Sequence, residues 1–136
     1  MTQAVDIFND FAVNETAALD GVWVPYRGDI EFCIAKNGNK NFRKQAQVVF
    51  KRHGRMLEQG GEVAEAKSRE LMIDLMAKTI LIGWKGTVMF QGTALEHSVE
   101  NAKKLLAVDG FRDWVDAQSK DEAQYKAVKD EEDEKN

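Results

Sequence analysis

The chain is poor in several residues that carry chemistry or break helices. It has one cysteine, Cys33, among 136 residues. One cysteine excludes an intramolecular disulfide and a cysteine-based zinc site. There are two histidines, His53 and His97, and they do not form a helical i,i+4 ligand pair. No phosphate loop, dinucleotide fingerprint or nucleophile elbow is present. A single proline leaves long helices almost without breakers. The most apolar stretch, Leu71–Trp84, holds Asp74 and Lys78 and is too short to cross a bilayer. Asp6 and Asp10 interrupt the first apolar residues and no basic stretch precedes them, so a secretory leader is not expected. The expectation is a protein of a reducing compartment, the cytoplasm, with no membrane partner.

What is present fits one domain. Hydrophobic residues make up 43% and charged residues 31%, the range of globular chains. The net charge is −4, and it is unevenly placed. Residues 27–55 hold eight bases against two acids, net +6; residues 109–136 hold five bases against ten acids, net −5. The run Asp130-Glu131-Glu132-Asp133-Glu134 has nothing apolar to bury, so residues 130–136 are expected to form a flexible acidic tail behind a domain of residues 1–129.

Ile7, Phe8 and Phe11 suggest a short helical face ending before Asp20-Gly21. Val22, Val24 and Tyr26, then Ile30, Phe32 and Ile34, alternate on either side of Arg27-Gly28-Asp29, which predicts a β-hairpin over about 22–35. Pro25 cannot donate to a ladder and assigns its strand to an edge or a bulge. From Asn39, a plausible N-cap, the period becomes helical: Phe42, Ala46, Val49, Phe50, His53, Met56 and Leu57 share a face until Gly60-Gly61. A second helix is predicted from Glu62 to Ile82, stopped by Gly83. Val88–Phe90 reads as a short extended piece. Thr93 to Glu96 and Ser119 to Glu122 have capping-box spacing, and Asp109 is a candidate cap. The last helix would carry Ala123, Tyr125 and Val128. The expected class is mainly α (α+β): a helical domain with a small N-terminal β-hairpin.

Candidate sites are few. Cys33 with His53 could make a nucleophile–base pair, but alternation in a strand and the edge of an apolar helix face favour packing roles. Trp84 and Trp114 could each be a ligand platform; core is the default. The carboxylates are spread over helix faces with bases at i+4, as in Glu65/Arg69 and Asp74/Lys78, which marks surface pairs. No catalytic, cofactor or metal residues are assigned, and an enzyme is not expected. Lys40, Lys44, Lys51 and Arg55, at i, i+4, i+11 and i+15, line one helical stripe. A phosphate-binding face would look like this. The acidic net charge and the lack of interleaved aromatic readers place a solvated face, or docking to an acidic protein, ahead of nucleic acid. On the helix 62–82, Leu71, Leu75 and Ile82 fall on one side and Ile73, Met76 and Ile80 nearly opposite, at roughly 100° per residue. The first group is expected to face the core, the second to form an exposed patch that another chain covers. The alternative is that both sides are buried internally, under the hairpin or helix 94–107.

The order of these pieces carries a resemblance. A hairpin with Gly21-Val22-Trp23-Val24-Pro25-Tyr26 and Ile30-Glu31-Phe32 precedes the basic helix Asn41-Phe42-Arg43-Lys44 and a helix ending at Gly83-Trp84-Lys85-Gly86. Ser98–Leu106, Phe111-Arg112-Asp113-Trp114-Val115 and a Tyr125 segment follow. Over residues 20–128 this resembles the tail assembly chaperones of long-tailed, non-contractile phages and their prophages. The resemblance implies a non-enzymatic protein of virion morphogenesis in the host cytoplasm, not retained in the mature virion. Its implied partners are the tape measure protein, which it would keep soluble, the tail-tube protein, whose polymerisation it would assist, and further copies of itself in a homo-oligomer. Members of that family are often made in two lengths by ribosomal frameshifting. The alternative reading is a small helical nucleic-acid-binding or regulatory protein using the basic helix.

Overall fold

The computed structural model describes residues 4–127. The expected acidic tail and Val128 lie outside the described residues.

Two short helices open the chain, α1 (Ile7–Phe11) and α2 (Glu15–Asp20). The Asp6 carboxylate accepts from the amides of Phe8 and Asn9, and the Asn14 side chain accepts from Ala17 N. Each supplies a partner to helix-end donors that would otherwise lack one. Gly21 then takes φ +83 and turns the chain into β1 (Val22–Pro25). β1 pairs antiparallel with β2 (Glu31–Ile34), Val24 opposite Phe32, as the alternation predicted. β1 is an edge strand, which accommodates Pro25.

The hairpin is extended by a third strand made of Leu81 and Ile82, expected to end the second helix, and Gly83-Trp84-Lys85, expected to stop it. The helix that begins at Gly61 ends at Thr79, and Leu81–Lys85 is a third strand, β3, antiparallel to β2. The apolar β-branched run at its end has no periodicity to separate a buried helix from a buried strand. Tertiary pairing with β2 decides it. The register shifts between Cys33 and Ile34, whose partners are Gly83 and Leu81, so the extra residue is Ile82 of β3.

α3 (Lys40–Glu58) starts where expected, with the Asn39 side chain accepting from Phe42 N at 3.0 Å. Asn39 also donates to the carbonyls of Lys36 and Thr79, tying the start of α3 to the end of α4 (Gly61–Thr79). Gly60, with φ +68, makes the tight joint between the two helices. After β3 come β4 (Val88–Phe90) and β5 (Thr93–Leu95), a separate two-stranded hairpin. The Thr93–Glu96 capping box is therefore corrected: Thr93 is in a strand, and Ser98 caps α5 (Val99–Leu106) by accepting from Asn101 N. Asp109 is not a cap either. It lies in the first turn of α6 (Asp109–Ser119) and pairs with Arg112 at 2.9 Å. The following 3₁₀ turn, Glu122–Tyr125, is capped by Asp121, whereas Ser119 lies inside α6.

The core forms where β2 and β3 meet α4, α5 and α6. Phe32, Ile34, Ile80, Leu81, Ala102, Leu106 and Val115 are all buried there. Each of the Phe, Ile, Leu and Val side chains among them contributes about 1.5–3 kcal/mol relative to exposure. Phe32 is the centre of an aromatic cluster, edge-on to Tyr26, Trp84 and Trp114 and 5.2 Å from Phe111. Both tryptophans are thus packing residues, and the Trp84 indole N–H donates to Leu95 O at 3.0 Å. The chain is a mixed α+β protein with a small N-terminal hairpin. No helix among the described residues is long and apolar enough to cross a membrane.

Candidate interaction surface

α4 has two helical neighbours, α3 on one side and α5 on the other. This corrects the expectation for Ile73, Met76 and Ile80. Met76 is 4% exposed and Ile80 1%, and both belong to the core; Ile73 is half-buried against it. Ile80 follows α4, and Ile82 is in β3, so neither belongs to the helix face on which it was placed. The wide apolar arc of α4 is covered by two neighbours of the same chain rather than by another molecule.

α3 is different, because α4 covers it from one side only. Phe42, Ala46, Val49, His53, Met56 and Leu57 are half-buried, and only Gly54 is fully buried. Stepping at roughly 100° per residue, these side chains centre about 210° from Lys40, while Lys40, Lys44, Lys51 and Arg55 centre near 30°. The predicted stripe is thus on the side directly away from α4, and all four residues are exposed. With Arg43 and Arg52, α3 holds six bases against one acid, Glu58. Among the described residues none of the six has a carboxylate within 4.0 Å. Val48 and Phe50 are 43% and 64% exposed in this basic field. The Phe50 ring lies against Gly54, 3.6 Å from where a Cβ would stand. α3 therefore offers positive charge and apolar area together.

The other candidate groups are not brought together. Cys33 is buried in β2, where its thiol donates to Asp20 O at 3.4 Å. Burial pushes that thiol up, the positive charge of Lys85 works against this, and Asp20 adds to it. His53 is on α3 beside Leu71 and Leu75, and among the described residues no hydrogen bond joins it to Cys33. A groove of about 650 Å³ between α4 and α5 is walled by Arg69, Glu70, Ile73, Asp74 and Lys103. Asp74 is already engaged by Lys78 at 2.9 Å and Lys103 at 2.8 Å. Among the described residues no group of three or more His, Cys, Asp or Glu could hold a metal.

One feature escaped the sequence reading. The predicted Ile7/Phe8/Phe11 face exists in α1, but nothing among the described residues covers it: these residues are 64%, 73% and 74% exposed, and Val5 is 65% exposed. Periodicity identifies an apolar face; it does not say whether a neighbour covers it.

A mixed α+β chain with a one-sided basic helix is the class these observations define. A family model described as YdaY prophage protein matches residues 37–136, from just before α3 to the end of the chain. The chain belongs to this family of prophage proteins. No curated protein and no solved structure matches it.

Proposed function

We propose that this prophage protein is a tail assembly chaperone: it binds the tape measure protein, keeps it soluble and assists tail-tube assembly without catalysing a reaction. One observation carries the reading. α3 is packed on one side and open on the other, where exposed Val48 and Phe50 flank the basic stripe on its two sides. A helix-rich client with acidic and apolar residues would meet both charge complementarity and apolar area there. Membership of a prophage family and the order of hairpin, basic helix and Trp84-Lys85-Gly86 support the same reading. The work would be done in the host cytoplasm, and the protein would leave before the virion matures.

The test is co-expression with the tape measure protein of the same prophage. The expected result is recovery of that protein in the soluble fraction, co-purified with this chain, and loss of both when Lys44→Glu and Lys51→Glu are introduced. An insoluble tape measure protein in the presence of folded chain rejects the reading. The exposed stripe also gives the nucleic-acid alternative a specific observation. Salt-sensitive retention of DNA, lost in the same double variant, would establish that alternative instead.

A further inference from the structure

The segment 4–11 has two acids, Asp6 and Asp10, and no base. Val5, Ile7, Phe8 and Phe11 leave it mostly apolar and almost wholly uncovered. Its base is fixed: Asn14 N donates to Tyr125 O at 2.7 Å, Ala127 N donates to Ala12 O at 2.9 Å, and Val13 bridges to Lys126. The segment is thus an apolar, acidic arm leaving from an anchored point. The same chain also carries the complementary surface. α3 is basic by five charges, its bases are unpaired among the described residues, and Phe50 and Val48 are exposed within it. Among the described residues neither surface finds its complement within one copy.

We propose that the arm of one copy docks on the exposed face of α3 of a second copy, Phe8 and Phe11 against Phe50, with Asp10 among Arg43, Lys44 and Lys51 beside it. Arm and face are different patches, so the contact is head-to-tail, and each copy keeps one free arm or one free face for the next. Two phenylalanines and two aliphatic side chains offer roughly 500 Å² of apolar surface on the arm side, from about 150–250 Å² per aromatic residue. That is the scale of a weak contact, so association should depend on concentration and weaken with salt. The inference shares the α3 face with the client reading, and a client would compete with the arm. It is tested on the purified protein alone, so its failure leaves the client reading standing.

The experiment uses light scattering and sedimentation velocity on the full chain at low and high salt. The wild type should gain mass with concentration, and less so in high salt. Two variants are then made at exposed positions: Phe8→Asp with Phe11→Asp in the arm, and Lys44→Glu with Lys51→Glu on the face. Each alone should stay monomeric with an unchanged circular dichroism spectrum. Mixed, they should form a one-to-one dimer and nothing larger, because only one intact arm and one intact face remain. Asp10→Lys gives a milder arm variant. It should associate less with the wild-type face and more with the charge-reversed one. A wild type that stays monomeric at all concentrations, variants that assemble like the wild type, or a mixture that yields no dimer overturns the proposal. If only one of the two variants loses assembly, the contact is between like patches and the arm-on-face arrangement is wrong.

Discussion

The Tyr125 hydroxyl donates to the carbonyl of Ile34 at 2.8 Å, across 91 residues of sequence. Both residues are completely buried. The bond joins the 3₁₀ turn at the far end of the described chain to the central strand of the sheet. Burial first, then the charges of Cys33 and Asp121, push the phenol above its ordinary range, so it is a donor at neutral pH. Tyr125→Phe keeps the ring and removes only the donor, leaving a buried carbonyl without its partner. The expected loss is about 1–3 kcal/mol, read as a lower midpoint in urea. A variant with the wild-type midpoint would show that the bond adds nothing.

The burial of Met76 and Ile80 gives a clear expectation for the double change Met76→Asp with Ile80→Asp. Two carboxylates would enter a core lined by Ala102, Leu105 and Leu106 with no partner. Such burial is costly enough to remove the whole stability of a domain this size. The variant should be unfolded by near-ultraviolet circular dichroism. A folded variant that has only lost association would restore the exposed-patch expectation.

The local rules that worked are those settled by near neighbours. The Asn39 cap needs only the next turn, and the hairpin 22–35 needs only alternation on either side of a turn. The rules that failed are those whose outcome depends on a distant segment. Leu81 and Ile82 continue an apolar run and are drawn into a strand by β2, some fifty residues earlier. Thr93 is the exception, a local failure: it has the spacing of a cap but pairs with Phe90 across the tight Gln91-Gly92 turn, and Ser98 takes the capping role. For the surfaces, the stripe of Lys40, Lys44, Lys51 and Arg55 was legible because an exposed helix obeys its own period. The Ile73/Met76/Ile80 face was not, since its wide apolar arc fits two intramolecular neighbours as well as one neighbour and a partner.

Gly21 joins α2 to β1 under two constraints. Its φ is +83, and a Cβ there would lie 2.7 Å from Cys33 Sγ and 3.1 Å from Ile82 Cδ1. Gly21→Ala should therefore destabilise the fold by about 2–3 kcal/mol, combining backbone strain with overpacking against β2. Gly110→Ala is the contrast. It lies in the first turn of α6 with nothing within 4 Å of its would-be Cβ, so it should be neutral or stabilising by up to about 1 kcal/mol. Thermal melts of the two variants should move in opposite directions or at least separate by several degrees. Equal effects would contradict the packing at Gly21.

Asp74 links α4 to α5 through Lys103 and continues to Lys78 one turn along its own helix. Partial burial pushes its carboxyl up, but the bonds from Lys103 and Lys78 outweigh that and hold it below the ordinary carboxylate range. Lys103 is shifted the other way, upward, chiefly by its bond to Asp74. The sign of the acid effect follows. A carboxylate whose folded-state value lies below its unfolded value, about 3.9, stabilises fully above the unfolded value. It loses that contribution as pH falls through the folded-state value. Lys103 mirrors this: its contribution is intact below the unfolded lysine value and disappears as pH rises through the raised one. Asp74→Asn should thus be less stable than the wild type at pH 7, by on the order of 1 kcal/mol for a pair that still touches solvent. The difference should shrink to nothing in strong acid, where Asp74 is protonated in both states. Urea unfolding of the two proteins at pH 7 and near pH 2 separates the possibilities. A gap that persists unchanged in acid would mean that Asp74 acts through packing and not through its charge.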